Sequence, residues 1–551
     1  MPIFMESETD LLIGSLISEI ATARARSVAL AVRYTEQRDF LMSLAETLGA
    51  GQEALGGIIL EDPSVNRYCL GRCLLLLKIY TEQLIQDLDA AFAATRLKKR
   101  HIGEIQIAAA KLNTLWGILG PASHHGQEDL MSGEGAKERL ASLGRVVTIY
   151  RFGDPVKLSK HVKKMVEAVT AGNAFVTKSY EKTGPTRPLT LGFGALYYNL
   201  FKKKALFKAR VGFANPNVEV AKSIWNLMDS KLLAPVMETM VTGIQTNKRI
   251  YVPRVSLSDL QEAGKDTMKF RLKKKEGEDR VPIRILANFP ISLSEDNCPS
   301  PSSHKAIFHI HGGGFIAMSS RSHQNYSRRW AKETGAVLFS VDYRLAPQFP
   351  FPAALDDVWS AYLWVRNYSL SLLGIEISEI VVTGDSAGGN LSCGVINRAI
   401  ESGIPELIPT GALLSYPALC LEVNRYSPSL ELALEDLIVH HTFLRLCLQS
   451  YVQPPASPSD YFISPLHTPT NNLLRFPPLR FMVGNCDPLG DDSWRLVERL
   501  YNLGKDVHMT EYDGLPHGFL GFDLPVNGVK ETREAVMQGT AYLRELLHLV
   551  S

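Results

Sequence analysis

Residues 379–390, EIVVTGDSAGGN, join a run of apolar and β-branched residues to a cluster of glycines around Ser386. The run EIVV has the composition of a buried strand, and a helix can begin near Asn390. Glycines on both sides of the serine permit a backbone bend in which a Cβ atom would collide with its neighbours. The stretch therefore predicts a sharp strand–turn–helix connection that exposes a serine hydroxyl at its tip.

Residues 384–388, GDSAG, fit the pattern G-x-S-x-G, in which the serine is a nucleophile on a strand-to-helix elbow. So short a pattern recurs by chance, but here a predicted strand precedes it and a predicted helix follows it. The helix N-terminus also directs backbone N–H groups towards negative charge that develops near the serine. Asp385, beside the serine, and Asp342, in VDYRLAP, are interpreted as residues that fix loops by hydrogen bonding.

Short apolar strands alternate with helical segments from about residue 250 to the end of the sequence. This alternation predicts a mostly parallel sheet covered by helices on both faces. Active sites of such sheets lie beyond the carboxyl ends of the strands, so candidate residues should follow strands. The predicted strands lie in KRIYVPRVSL, VPIRILANFPI, AIFHIHG, AVLFSVDY, EIVVTGD, GALLSYPA, LRFMVGN and VHMTEYD.

Residues 308–318, FHIHGGGFIAM, place three glycines directly after a predicted strand. Backbone N–H groups in such a run can turn towards one point, as in the HGGG motif that completes an oxyanion hole. A phosphate-binding loop is the alternative, but the spacing fits neither G-x-G-x-x-G nor the P-loop pattern. The predicted oxyanion hole consists of the backbone amides of Gly312, Gly313, Gly314 and Ala387.

A serine hydroxyl needs a general base to become a good nucleophile, and the base needs a carboxylate to orient it. His517 lies in a loop with glycine and proline beyond the last predicted strand, and Asp487 directly follows LRFMVGN. Asp491 and Asp492 fit better as the N-cap and first turn of the next helix. Ser386, Asp487 and His517 are therefore the predicted catalytic triad, in the chain order of α/β-hydrolases. This chemistry requires neither a metal ion nor an organic cofactor.

Residues 8–245 have mostly helical spacing of apolar residues and contain no motif that carries chemistry. We expect a mainly helical N-terminal domain over residues 1–245 and a catalytic domain over residues 246–551, with a short insertion at about 420–475. The helical domain is expected to cap the site or to bind lipid or a partner. Its basic clusters, LKKRH and FKKKALFK, are interpreted as solvated helix ends, with contact to an anionic lipid surface as the alternative.

The formal net charge of +2 gives no reason to expect a nucleic-acid partner. The N-terminus MPIFMESETD lacks the features of a signal peptide, and no apolar run approaches the length of a membrane span. The odd count of 7 cysteines does not suggest a disulfide framework, so a cytoplasmic location is expected. Cys69 and Cys73 lie one helical turn apart, but without a second pair they are interpreted as core thiols.

The segments HIHGGGFIAMSSRSH, DYRLAPQFPFPAALDD, TGDSAGGNLS, DPLGDD and LPHGFL together resemble the hormone-sensitive lipase family of α/β-hydrolases, over about residues 304–522. The resemblance implies the α/β-hydrolase fold and a homodimer. It also implies hydrolysis of diacylglycerol, cholesteryl and other neutral-lipid esters at lipid droplets.

The sequence departs from the pattern of this family at two places. Gln348 replaces the acid of the usual LAPE motif, which predicts a weaker local salt bridge. The insertion is much shorter than the regulatory segment of vertebrate members and contains no Arg-Arg-x-Ser site, so hormonal control through a kinase is not expected.

Two other functions fit the same fold. One is a general carboxylesterase for small soluble esters, which acyl-chain preference would distinguish from a lipase. The other is a receptor that binds a hydrophobic ligand without catalysis. Because such receptors typically lose a residue of the triad and all three residues are present here, the sequence favours an enzyme.

Overall fold

The structure is a computed structural model of the chain. It describes residues 6–56, 67–94, 97–124, 143–150, 160–180, 198, 200–214, 216–226, 229, 234–239, 241–262, 279–291, 302–422, 427–524 and 528–549. The chain divides into two compact units. A helical unit comprises Met1–Ala141, Val169–Asn217 and Val423–Phe443, and a second unit, here called the sheet unit, comprises Ser142–Ala168, Val218–Glu422 and Leu444–Ser551.

Long helices make up the helical unit. Two helices, α5 (Lys160–Tyr180) and α13 (His441–Tyr451), have some residues in this unit and the rest in the sheet unit. The helices wholly inside the helical unit are α1 (Glu6–Arg33), α2 (Arg38–Gly56), α3 (Arg67–Ala93), α4 (Lys99–His124) and α6 (Lys202–Ala214).

The core of the helical unit consists of aliphatic side chains spaced three, four or seven residues apart. In α3, Leu74, Leu77, Leu84 and Leu88 are fully buried, whereas the side chain of Leu75 is 43% exposed. This spacing places the buried side chains on one face of the helix, where they pack against the buried faces of α1, α2 and α4. The predicted helical character of this region is therefore confirmed.

A single sheet forms the centre of the sheet unit, with nine strands within the described residues. The strand order is β1-β9-β8-β7-β6-β4-β5-β3-β2. Strand β3 runs antiparallel to its neighbours β2 and β5, and all other pairs are parallel. The strands are β1 (Val147–Tyr150), β2 (Thr246–Pro253), β3 (Arg280–Ala287), β4 (Ser302–Ile310), β5 (Val337–Val341), β6 (Ile375–Asp385), β7 (Gly411–Ser415), β8 (Leu479–Cys486) and β9 (Val507–Pro516).

Every residue of β5 and β7 is buried, as expected for strands with both faces covered. The helices wholly inside the sheet unit are α7 (Val218–Trp225), α8 (Ala234–Thr239), α9 (Leu257–Glu262), α10 (Gln324–Thr334), α11 (Ala353–Leu373), α12 (Ala387–Glu401), α14 (Thr470–Leu473), α15 (Gly490–Asn502) and α16 (Lys530–Leu546). Short 3₁₀ turns occur at Thr35–Gln37, Pro405–Leu407, Pro428–Leu434, Pro465–His467 and Phe519–Phe522. The predicted α/β architecture with a mostly parallel sheet is confirmed.

The two units differ from the predicted division at residue 245 in three places. Residues 142–168 and 218–245 belong to the sheet unit, and part of the insertion, residues 423–443, belongs to the helical unit. Strand β1 lies in the region whose apolar spacing is helical, and sequence analysis did not predict it. Its four residues, VTIY, are too few to establish a period of two, and β1 exists because it pairs in parallel with β9.

Within the described part of the chain, no helix combines the length and the apolar character that crossing a bilayer requires. Cys73 is fully buried in the helical unit, as a core thiol should be. The side chain of Cys69 lies outside the described residues.

Candidate active site

Ser386 lies on a sharp turn between β6 and α12. The strand ends at Asp385, the helix begins at Ala387, and Ser386 itself has φ 55° and ψ −119°. A positive φ is strained for a residue with a side chain, and such strain is concentrated at functional sites. The predicted elbow is therefore present.

The two glycines of the GDSAG motif allow neighbouring backbone to approach the elbow closely. A Cβ on Gly384 would lie 2.3 Å from the carbonyl oxygen of Gly388. A Cβ on Gly388 would lie 2.0 Å from the carbonyl oxygen of Ile310, at the end of β4. Both distances are far below van der Waals contact, so no larger residue fits at either position without movement of the backbone.

The structure brings the three predicted triad residues together. Nε2 of His517 lies 2.8 Å from Oγ of Ser386, and Nδ1 of His517 lies 2.9 and 3.0 Å from the two carboxylate oxygens of Asp487. Asp487 and His517 are 1% and 5% exposed. These distances are those of hydrogen bonds, and the chain of contacts runs from acid to imidazole to hydroxyl.

Each triad residue follows a strand, at the edge of the sheet where sequence analysis expected it. Ser386 follows β6, Asp487 follows β8 and His517 follows β9. One oxygen of Asp487 also accepts a hydrogen bond from the backbone N–H of Leu489, which fixes the carboxylate within its turn. The ring of Tyr416 packs edge-on against the imidazole of His517, with the ring centroids 4.9 Å apart. These contacts hold both partners of the serine in place.

The glycine run after β4 adopts conformations that favour glycine. Gly313 has φ 111° and Gly314 has φ 58°. A Cβ on Gly313 would lie 2.2 Å from the carbonyl oxygen of Ala317, and one on Gly314 would lie 2.7 Å from Sγ of Cys447. The participation of Gly313, Gly314 and Ala387 in an oxyanion hole remains a prediction.

The prediction for Gly312 is wrong. Its backbone N–H donates a hydrogen bond to a carboxylate oxygen of Asp385 at 3.0 Å, so this donor is committed to a protein side chain. A Cβ on Gly312 would lie 2.5 Å from the other carboxylate oxygen. Gly312 is therefore the point at which the glycine run is attached to the elbow.

Asp385 lies at the centre of a buried polar network. The same carboxylate oxygen that accepts from Gly312 accepts a hydrogen bond from the hydroxyl of Tyr326 at 2.9 Å. The other oxygen lies 3.5 Å from Nε2 of His323. Nδ1 of His323 in turn lies 2.9 Å from the carbonyl oxygen of Ser319. The interpretation of Asp385 as a residue that fixes a loop agrees with these contacts.

The two charged partners of this network shift each other's pKa. Burial by itself would raise the pKa of Asp385, but the charge and hydrogen bond of His323, with a smaller effect of the Tyr326 hydroxyl, hold that pKa well below its usual value. Burial by itself would lower the pKa of His323, but the carboxylate of Asp385 raises it. Burial lowers the pKa of neighbouring His309 to about 3, so this imidazole is neutral. The structure thus supports a buried ion pair of Asp385 with His323.

His323 and Tyr326 are the residues that sequence analysis missed. His323 stands at the end of the stretch HIHGGGFIAMSSRSH, so its presence in a segment typical of the family was the available signal. Its partner Asp385 is distant in the sequence, and no spacing rule joins the two.

Gln348, the departure from the LAPE motif, forms a hydrogen bond where an acid would form an ion pair. Its side-chain oxygen accepts a hydrogen bond from Nζ of Lys222 at 2.8 Å.

Asp342, at the end of β5, accepts a hydrogen bond from the backbone N–H of Ser320 and forms an ion pair with Arg249. Asp342 therefore fixes the segment after the glycine run, as interpreted from the sequence.

Among the described residues, the ligand types suited to a metal ion come close together in one group, which consists of Cys420, Glu422 and His467. None of the three belongs to the triad.

Comparison with known proteins supports the same assignment of the fold. A family model described as the alpha/beta hydrolase fold matches residues 307–521. Hormone-sensitive lipase of Bos taurus is 33% identical over 259 residues, a match that covers 43% of this chain and 34% of that protein. The esterase LipI of Mycobacterium tuberculosis is 32% identical over 257 residues, which cover 46% of this chain and 76% of LipI.

A solved structure of similar fold is that of a thermostable esterase from Pseudomonas putida, with a TM-score of 0.50. It is 18% identical in sequence and the match covers 72% of this chain and 100% of that one, so it supports the fold alone. The chain spans about a quarter to a third of the length of the curated hormone-sensitive lipases that it matches. Together, the matches show that this chain belongs to the hormone-sensitive lipase family of α/β-hydrolases.

Proposed function

We propose that this chain is a serine ester hydrolase that acts on neutral-lipid carboxylic esters through an acyl-enzyme. The observation that carries the proposal is the unbroken chain of contacts from Asp487 to His517 to Ser386, at 2.9 and 2.8 Å. A serine on a strained elbow with a base at this distance is equipped for nucleophilic catalysis.

The first half of the reaction forms the acyl-enzyme. Oγ of Ser386 attacks the ester carbonyl carbon while its proton passes to Nε2 of His517. The carbonyl oxygen becomes an oxyanion, which the backbone N–H groups of Gly313, Gly314 and Ala387 stabilise. Removal of one such donor typically costs about 10²–10³-fold in kcat. The C–O bond to the alcohol then breaks, and His517 gives its proton to the departing alkoxide.

The second half hydrolyses the acyl-enzyme. Water attacks the acyl carbonyl carbon and gives a proton to Nε2 of His517. The bond to Ser386 breaks, the carboxylic acid leaves, and the proton returns to Oγ of the serine. Asp487 keeps Nδ1 of His517 protonated throughout and stabilises the imidazolium that forms in each half.

The name of the hormone-sensitive lipase that this chain resembles supports a lipid ester as substrate. We propose diacylglycerol and cholesteryl esters among these substrates. An exposed apolar pair in the helical unit is consistent with work at a lipid surface, because Leu200 and Phe201 are 71% and 47% exposed. Exposed lysines, Lys202 and Lys203, follow directly in α6. Apolar side chains beside a basic cluster are typical of segments that bind at a lipid interface. We propose that the enzyme acts at the surface of lipid droplets, as a cytoplasmic homodimer.

A general carboxylesterase for small soluble esters is the second candidate. The observation that favours it is the share of each relative's length that the match to this chain covers. The match covers 76% of LipI and 93% of the carboxylesterase NlhH of Mycobacterium tuberculosis, but only 34% of bovine hormone-sensitive lipase.

The proposal is tested with the purified chain of 551 residues and three substrates: emulsified diacylglycerol, emulsified cholesteryl ester and a short p-nitrophenyl ester. We expect hydrolysis of all three, with a higher kcat/KM for diacylglycerol than for the short ester. Ser386→Ala should reduce kcat roughly 10⁶-fold and abolish labelling by a fluorophosphonate probe. Ser415→Ala is the matched control, because Ser415 is a buried serine at the end of the adjacent strand β7 and should leave both signals unchanged.

A preference for the short soluble ester, with no activity on the emulsions, would support the second candidate. Labelling that persists in Ser386→Ala would show that another residue is the nucleophile. An absence of both labelling and hydrolysis in the wild type would support a non-catalytic receptor on the same fold.

A further inference from the structure

Three side chains meet at the surface of the sheet unit. Two of them belong to the segment of residues 418–422 and one to the segment of residues 463–467. The ligand atoms of Cys420, Glu422 and His467 all lie within 4.8 Å of one another. Nε2 of His467 and a carboxylate oxygen of Glu422 are 3.0 Å apart. The side chains of Glu422 and His467 are about one third exposed, and Cys420 is half-buried and retains its thiol. The group is thus open enough for an ion to enter.

Hydrogen bonds hold the two segments side by side. The backbone N–H of Leu466 donates to the carbonyl oxygen of Leu419 at 2.9 Å, and that of Leu421 donates to Oγ of Ser464 at 2.9 Å. Cys420 and Glu422 are two residues apart in one of these segments, and the ligand atoms of both approach that of His467 in the other. The backbones that carry the three ligands are therefore joined to each other by hydrogen bonds.

The set of one thiolate, one imidazole and one carboxylate selects the kind of ion. Thiolate and imidazole are ligands for Zn²⁺ and related transition metals, whereas Mg²⁺ and Ca²⁺ prefer oxygen ligands alone. Zn²⁺ binds sulfur at about 2.3 Å and nitrogen or oxygen at about 2.0–2.2 Å, usually with four ligands in a tetrahedron. Those bond lengths place neighbouring ligand atoms roughly 3.4 Å apart, and the pair from Glu422 and His467 is already near that separation.

We propose that Cys420, Glu422 and His467 form a Zn²⁺-binding site, with water as the fourth ligand. Binding joins the two segments and releases the proton of the Cys420 thiol to solvent. The site lies outside the triad and takes no part in ester cleavage.

The position of this site gives the ion an influence on the elbow. Two residues before Cys420, the backbone N–H of Ala418 donates to the carbonyl oxygen of Ser386 at 3.1 Å. The side-chain amide of Asn390, in the first turn of α12, donates to the carbonyl oxygens of Ala418 at 2.8 Å and Ile463 at 2.7 Å. The two segments that carry the metal ligands therefore also support the backbone of the nucleophile. A bound ion should make this part of the sheet unit harder to unfold.

The test uses the chain of 551 residues and two metals. Co²⁺ is added first, because a cobalt–thiolate bond gives a near-ultraviolet charge-transfer band and tetrahedral Co²⁺ gives intense visible bands. Zn²⁺ is then titrated in, with a chromophoric chelator as competitor. We expect one Co²⁺ per chain with both sets of bands, displaced by one equivalent of Zn²⁺. Zn²⁺ should also raise the Tm of the wild type.

The variants Cys420→Ser, Glu422→Gln and His467→Gln test each ligand. Loss of a residue that only hydrogen-bonds to a metal ligand already lowers metal affinity about 10–100-fold. Loss of a ligand itself should therefore lower the affinity for Zn²⁺ at least about 100-fold. Cys420→Ser should in addition remove the thiolate band and the Zn²⁺-dependent rise in Tm. Cys486→Ser is the matched control, since Cys486 is another half-buried thiol of the sheet unit and should leave the titration unchanged.

The proposal is overturned if the wild type shows no binding at low micromolar Zn²⁺, or if Cys420→Ser keeps the thiolate band. Loss of the band in Cys486→Ser alone would assign the ion to a different site. Because these measurements record metal binding and Tm, their outcome is independent of the ester hydrolysis proposed above.

Discussion

The two units of this protein bury different kinds of residues, and the difference explains what each can do. The sheet unit buries polar groups on both sides of the elbow serine, including Asp385, Asp487 and His517. The helical unit buries mainly aliphatic side chains in α1, α2, α3 and α4. A buried polar group needs partners at defined distances, whereas a buried leucine needs only apolar neighbours and space. The proposed catalysis therefore depends on individual residues of the sheet unit, whereas the stability of the helical unit depends on the spacing of its apolar residues.

After loss of the nucleophile itself, Asp487→Asn should produce the largest effect in the sheet unit. The amide cannot hold the imidazole of His517 in the required tautomer, so kcat for ester hydrolysis should fall about 10⁴-fold while the fold is retained. Steady-state kinetics with a p-nitrophenyl ester measure the change, and circular dichroism checks the fold. Asp491→Asn, one turn later at the start of α15, is the control and should change kcat little. Equal losses in the two variants would contradict the assignment of the triad acid.

Asp385→Asn should have the next largest effect, because Asp385 positions the glycine run without touching substrate. Loss of the negative charge breaks the ion pair with His323 and weakens the anchor of the Gly312 N–H, because a neutral amide oxygen is a poorer acceptor than a carboxylate oxygen. We expect kcat to fall about 10²–10³-fold, as when an oxyanion-hole donor is removed, with a much smaller change in KM. Asp342→Asn, which alters a loop carboxylate at the end of the nearby strand β5, should change kcat far less. A change confined to KM would contradict a role in positioning the oxyanion hole.

In the helical unit, Leu74→Ala and Leu75→Ala test whether the burial of a side chain alone decides how much its loss lowers the free energy of unfolding. Leu74 is fully buried and Leu75 is 43% exposed, although the two residues are adjacent in α3. The first change should lower the free energy of unfolding by about 2–5 kcal/mol, and the second by at most about 0.5 kcal/mol. Denaturant unfolding followed by circular dichroism measures both. Neither should change kcat for a short ester while the chain stays folded, and a large kcat effect would show that the helical unit does more than pack.

The ion pair of Asp385 with His323 predicts a pH-dependent stability of the sheet unit. The raised pKa of His323 adds stability that is complete below its unfolded pKa of about 6.5 and is lost as pH rises through the folded pKa. The lowered pKa of Asp385 adds stability present above about pH 3.9 and lost in acid below that value. The ion pair of Asp385 with His323 therefore contributes most to the stability of the folded protein between about pH 4 and pH 6.5.

His323→Gln should remove this dependence, since glutamine does not titrate. We expect the difference in Tm between wild type and His323→Gln to shrink steadily when pH is raised from 6.5 towards 9. Differential scanning fluorimetry in matched buffers measures it. His309 and His311 face the same cluster but have lowered pKa values, so they stay neutral across this range. A difference in Tm that stays constant with pH would show that His323 is not charged in the folded state.

Gln348→Glu should give the smallest effect. It restores the acid of the LAPE motif and converts the hydrogen bond from Lys222 into an ion pair. Because Gln348 is exposed, the gain in stability should be at most about 1 kcal/mol and should fade in high salt. Denaturant unfolding at low and high ionic strength measures it. A gain that is independent of salt would show that the new contact is not an exposed ion pair.

The triad could be predicted because each residue is tied to a local pattern. Ser386 stands inside G-x-S-x-G, Asp487 and His517 follow strands, and the three occur in the chain order of the fold. The eight strands predicted from residue 248 onwards are present for the same reason, since each is a compact apolar run between turn residues. Strand β1 could not be predicted, because its four residues gain their conformation from pairing with β9.

By itself, the sequence determined the elements of this protein: where apolar runs form strands, where apolar spacing forms helices, and which residues follow a strand. Tertiary structure alone decided which distant groups meet. It placed Asp385 against Gly312 and His323, removed Gly312 from the oxyanion hole, assigned residues 423–443 to the helical unit and brought His467 to Cys420 and Glu422. The physical reason is that hydrogen bonds and charge interactions act over a few ångströms in space, while sequence patterns record only distance along the chain.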